Sequence, residues 1–226
     1  MNFPVIVTGC YGAGKTEFCV NYAISLAVIF PPEHSMPEPV KLADMDVMNP
    51  YFRSREKAEF LARRGVQVIG NLTGNSGNQD VPAIGGDVLR AVLARDALVV
   101  DLAGSSAGLH ALAFFREHLT GYELWVVLNA FREESATVDK GLRFIQTAEK
   151  VSGLRVTGIV NNSHMLRFTT ADDVLRGQEL SADVAEKTGI PVKYTFTHTE
   201  IYNVIKHELI SPALTFNKLI MRDDWL

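Results

Sequence analysis

Short apolar, β-rich runs recur along the chain and read as continuous rather than alternating: "PVIVT" (4–8), "VKLAD" (40–44), "VQVIG" (66–70), "ALVVDLA" (97–103), "ELWVVLNA" (123–130), "RVTGIVN" (155–161) and "IPVKYTF" (190–196). A continuous run suits a strand covered on both faces. Between most of them lie helical patterns: "KTEFCVNYAISLAVIF", "SREKAEFLARRG", "GGDVLRAVLARD", "SATVDKGLRFIQTAEKVSG" and "SADVAEKTG". Strand then helix, repeated, predicts right-handed crossovers and a three-layer α/β/α sandwich on a mostly parallel sheet of about seven strands. The glycines at 65, 153 and 189 fall where helices would stop before the next strand. Two long loop-like stretches, "PPEHSMPEP" (31–39) and "GNLTGNSGNQDVP" (70–82), do not read as interdomain linkers, so a single domain over 1–226 is expected.

Composition narrows the classes. With 226 residues and 47% hydrophobic content the chain can fill one substantial core. A net charge of −4 and a pI near 5.9 give no global reason to bind nucleic acid or an anionic membrane, so neither partner is predicted. "MNFPVIV" lacks the basic start of a signal peptide and "YAISLAVIF" (22–30) is too short to span a bilayer, which predicts a cytoplasmic protein. Cys10 and Cys19 show no metal-ligand spacing and read as free thiols. Cys10, near a helix start and a lysine, has the surroundings that lower a thiol pKa. His110, His164 and His198 show no metal pairing and read as structural or surface residues.

The candidate chemistry begins at "GCYGAGKT", Gly9 to Thr16, which satisfies G-x-x-x-x-G-K-[ST] between a predicted strand and a predicted helix. In such a loop the backbone of Gly9, Cys10, Tyr11, Gly12, Ala13 and Gly14 wraps a β-phosphate, with Glu17 in the first helical turn beyond. Lys15 reaches the β- and γ-phosphates and the Thr16 hydroxyl ligates Mg²⁺. Hydrolysis needs carboxylates at neighbouring strand ends. "VVDLAG" offers Asp101 to the metal through water and the Gly104 N–H to a γ-phosphate; "LADMD" offers Asp44 and Asp46 on one side of the chain, one of which could orient water or the metal. A turn or capping role is the alternative for each of these aspartates. The strand ending "GIVNNSHM" lacks the Lys and Asp that read guanine, which favours ATP; the amides of Asn161 and Asn162 either meet adenine or cap the strand.

Together the loop, "ADMDVMNPYFRSRE", "VVDLAGSSAG" and "GIVNNSHM" resemble the MinD/ParA/CobQ-type P-loop ATPases of the SIMIBI class over nearly the whole chain, and "NPYFRSRE" with "GIVNNSHM" resembles a stand-alone subgroup of them. The resemblance implies Lys15 and Thr16 as the phosphate and Mg²⁺ residues, Asp46 as the water-orienting carboxylate beside Asp44, and Asp101 as the second metal residue. It also implies ATP-dependent homodimerisation on a client protein. In MinD and ParA the second loop position is a lysine that crosses the dimer. Here it is Cys10, with Arg53 and Arg55 as candidate substitutes. The alternatives are an ATP-dependent small-molecule kinase or synthetase, similar to dethiobiotin and cobyrinate synthetases, and a nucleotide-binding module without turnover. The end, "SPALTFNKLIMRDDWL", is read as a helix carrying Leu214, Phe216, Leu219 and Ile220 and packed on the sheet rather than a membrane.

Overall fold

The seven anticipated apolar runs all become strands, and an eighth joins them. The structure, a computed structural model, describes residues 3–30, 38–45, 54–70, 86–113 and 115–221. In chain order the elements are β1 (Val5–Gly9), α1 (Lys15–Ile29), β2 (Val40–Met45), α2 (Ala58–Ala62), β3 (Val66–Ile69), α3 (Gly86–Ala94), β4 (Leu98–Leu102), α4 (Ser106–Ala113), β5 (Glu123–Leu128), α5 (Val138–Ser152), β6 (Gly158–Asn161), α6 (Ala171–Thr188), β7 (Val192–His198), α7 (Thr199–Ile205) and β8 (Ala213–Phe216). The sheet order is β3-β2-β4-β1-β5-β6-β7-β8 and each neighbouring pair is parallel.

The apolar runs are continuous because alternate residues feed opposite layers. Val5 and Val7 of β1 join a core with Phe18, Tyr22 and Leu26 of α1 and Leu61 of α2; Ile6 joins the other, with Val92 of α3, Leu112 of α4, Ile145 of α5 and Val184 of α6. Beneath the β1–α1 loop, the rings of Phe18 and Tyr22 pack against Trp125, Tyr194 and Phe196 at centroid separations of 5.1 to 6.3 Å. These contacts fix the start of α1 relative to β5 and β7.

Three local expectations change. The segment 213–216 is an edge strand, not a helix: Ala213 to Phe216 pair with Thr195 to His198 of β7, and Thr195 N–H donates to Pro212 O at 2.9 Å. A helix there would leave the outer edge of β7 without those backbone partners. Leu214, Phe216, Ile220 and Met221 still pack on the α1-side core, as the packing argument required. Helix α6 starts at Ala171, well before "SADVAEKTG", and α4 and α7 have no counterpart among the helical patterns. Within "SREKAEFLARRG", Ser54–Lys57 form a 3-10 turn and α2 covers only Ala58–Ala62. Among the described residues no helix is long and apolar enough to cross a membrane.

Candidate functional site

The loop 9–14 leaves the sheet at β1, which pairs with β4 on one side and β5 on the other. Ligands of open α/β sheets gather at such carboxyl ends. Gly14 caps α1 with φ +80° and, as a glycine, gives the first turn no side-chain N-cap. A Cβ on Gly14 would lie 2.3 Å from Asn162 Nδ2, so both the backbone conformation and the space call for glycine. The loop's carbonyls, by contrast, are occupied. Lys15 Nζ donates to Cys10 O at 3.1 Å, Arg132 Nε to Gly12 O at 2.9 Å and Asn162 Nδ2 to Ala13 O at 2.7 Å. The result is a braced ring above a helix start whose donors have no side-chain cap, which is the arrangement an anion needs.

The acidic side is equally close-packed. Asp101, near the end of β4, is 1% exposed, and a Cβ on Gly104 would meet Gly9 O at 1.8 Å, so the β4 loop lies directly on the first glycine of the phosphate loop. Asp44 is paired in register with Asp101 across β2 and β4, and Arg55 Nε stands 3.6 Å from Asp44 Oδ2. Arg55 is therefore engaged within its own chain. Asp46 and Arg53 lie outside the described residues, as do most of the 70–82 loop and Arg222, Asp223 and Asp224. No cluster of three or more His, Cys, Asp or Glu side chains at metal-binding spacing occurs among the described residues.

From the loop a cavity of about 900 Å³ runs past Tyr11, Thr16, Asn162 and His164 to the end of β7 and the segment 216–221. Asn162 is on its wall but Asn161 is not: the Asn161 amide donates to Val174 O at 3.1 Å and accepts from Ser163 N–H at 3.1 Å, which joins β6 to α6. Glu17 also has another duty. Its two carboxylate oxygens accept from the N–H groups of Ile220 at 2.7 Å and Met221 at 2.8 Å, latching the C-terminal segment to α1, while burial raises its pKa. The carboxylate is thus bonded to the chain itself.

Cys10 does not present a reactive thiol. It is 5% exposed with Sγ 3.3 Å from Ser135 Oγ, and burial pushes its pKa up against the weaker pull of Ser135 and Lys15. Cys19, fully buried, is raised further by burial and by the nearby Asp101 carboxylate. His164 and His198, expected to be incidental, both line the cavity. Burial first, then the charge of Arg132, lowers the His164 pKa to about 4, and its Nδ1 accepts from Leu166 N–H at 3.4 Å. His110 stays exposed on α4, outside the wall. Arg132 itself went unrecognised in the sequence, because nothing local marks a residue that meets Gly12 across 120 positions.

Compared by sequence, the chain matches no protein-family model and no curated protein. Compared by structure, it is similar to FtsY of Mycoplasma mycoides (TM-score 0.52, 19% identity, covering 85% of this chain and 60% of that one). It is similar also to the cell division protein ftsY of Thermotoga maritima (0.50, 22%, 86% and 63%) and to chloroplast FtsY of Physcomitrella patens (0.53, 17%, 86% and 58%). The chain thus spans less than two thirds of the length of each. The likeness shows the fold, a mostly parallel α/β sheet of the P-loop NTPase type. It stops at the fold and does not reach MinD or ParA in particular.

Proposed function

We propose that this chain binds and hydrolyses Mg-ATP at the loop 9–16 and works as a nucleotide-dependent switch, closing as a homodimer on a partner protein. The observation that carries the reading is the braced loop above the uncapped start of α1. Lys15 would leave Cys10 O for the β- and γ-phosphates. The Thr16 hydroxyl would hold Mg²⁺, with Asp101 acting through water; the bound ion would neutralise charge developing on the transferred phosphoryl group. Gly104, pressed on Gly9, would offer its N–H to the γ-phosphate. Asp46, with Asp44 beside it, would orient the attacking water.

Adenine is favoured because the segment that ends β6, "GIVNNSHM", holds neither the Lys nor the Asp that read guanine, and the amide of Asn162 stands on the cavity wall. Closure on a second protein is supported by the apolar rim beside the loop, where Tyr11 is 76% exposed and Phe168 66%. Titration calorimetry with Mg-ATP and Mg-GTP, followed by phosphate release and sedimentation with each, tests the reading. The expected result is tighter binding of ATP and a dimer in its presence. Preference for GTP would overturn the base assignment, and absence of nucleotide binding would overturn the whole. Turnover that appears only with a small carboxylic acid and yields stoichiometric ADP would make the protein a synthetase instead; binding without phosphate release would make it a nucleotide-holding module.

A further inference from the structure

Position 10 carries no cation, yet the turn that receives its side chain carries one. Residues 129–135 form a tight turn after β5: Arg132 N–H donates to Asn129 O at 3.1 Å, Ser135 N–H to Arg132 O at 2.9 Å, and Ser135 Oγ to Asn129 O at 2.9 Å. Ala130 N–H donates to Ser163 Oγ at 3.0 Å, which fastens the turn to the end of β6. Cys10 Sγ seats against Ser135 Oγ, so the thiol and the turn interlock. A lysine in that slot would bring an ammonium into a buried contact. Small and neutral, Cys10 lets the turn close on the loop.

That closure fixes Arg132. Its Nε is held by Gly12 O, and a Cβ on Gly12 would come within 3.2 Å of the same atom, so the guanidinium lies against the loop itself. Its Nη groups have no hydrogen bond or ion pair among the described residues, and the side chain lines the cavity together with Lys15 and Thr16. A planar fork held by one nitrogen, with donors left over and facing an anion site, is preorganised for phosphate oxygens.

We propose that Arg132 is a phosphate-binding residue of this site, a cation supplied in cis by the turn after β5 where the loop itself has Cys10. This rests on the nucleotide reading above. The alternative is a neutral brace that only shapes the loop through Gly12 O. Arg132→Gln separates the two, because the amide keeps a donor for Gly12 O and lacks the charge. Mg-ATP and inorganic tripolyphosphate, as a competitor without base or sugar, are titrated into wild type, Arg132→Gln, Arg132→Lys and Lys15→Ala over a salt series. The expected result is a Kd for both probes raised about tenfold or more in Arg132→Gln, a shallower salt dependence, and substantial recovery in Arg132→Lys. Arg132→Gln within twofold of wild type, while Lys15→Ala binds markedly more weakly, overturns this assignment alone. If the wild type binds neither probe, the nucleotide reading falls and this one with it. Loss of the nucleotide-free fold in both Arg132→Gln and Arg132→Lys would make Arg132 a structural brace and equally overturn the proposal.

Discussion

Helices α1 and α6 both rise from the carboxyl ends of strands on the same sheet, and they begin in opposite ways. At α6, Thr170 accepts from Asp173 N–H while Asp173 Oδ2 accepts from Thr170 N–H at 2.8 Å, so the helix satisfies its own first donors. At α1 the same position is Gly14, which has no side chain to reach the first-turn N–H groups. A reciprocally capped start has its exposed donors already engaged and little to offer a ligand. An uncapped start, with a lysine folded back across its loop, keeps its donors and its partial positive charge for an anion. The contrast teaches where stability was left incomplete and hence where binding free energy is to be found.

The largest expected effect comes from closing that gap sterically. Gly14→Ala forces φ +80° on a Cβ and drives it into Asn162, so chemical denaturation should show a loss of about 3 kcal/mol and nucleotide binding should vanish. Next is Lys15→Ala, expected to weaken nucleotide by roughly thirtyfold, about 2 kcal/mol, in calorimetry while the free protein unfolds much as before. An unchanged affinity would erase the contrast between the two helix starts.

The third prediction concerns pH. His164, packed beside Gly14, is held neutral in the folded state down to a pKa of about 4, against about 6.5 in the unfolded chain. Between these values the unfolded chain binds more protons, so stability rises with pH through that window and is lost on acidification. The slope approaches about 1.4 kcal/mol per pH unit, and His164→Gln should flatten it in denaturant midpoints measured from pH 4 to 7. The smallest effect belongs to α6. Thr170→Ala should cost about 1 kcal/mol and leave nucleotide affinity alone, and a change in affinity would show that the two starts are not independent.

Much of this arrangement was legible in residue order. Strands covered on both faces announce themselves as unbroken apolar runs, and the loop residues form a local pattern whose spacing is dictated by phosphate geometry. What escaped notice was made by long-range packing. Helix α6 carries Gly177 in its interior, a poor helix former, because a Cβ there would strike Ser163 Oγ at 2.0 Å. Gly108 in α4 is pressed on Ala103 O for the same kind of reason. Strand β8 is four residues long and exists because β7 offers an open edge. Within the site, Arg132 and Asn162 reach the loop over separations of 120 and 149 residues, and Asn161, adjacent and chemically identical to Asn162, is turned to a different task. Identity of side chain said nothing about which of the two would face the cavity.

Glu17 joins residues 203 and 204 positions apart, tying the first turn of α1 to Ile220 and Met221. Asn217, Lys218, Leu219 and Met221 form part of the cavity wall. During synthesis from the amino end, the phosphate loop emerges well before residues 217–221, and its surroundings stay unfinished until they follow. A nascent chain, or one shortened before residue 217, has the motif without the complete enclosure.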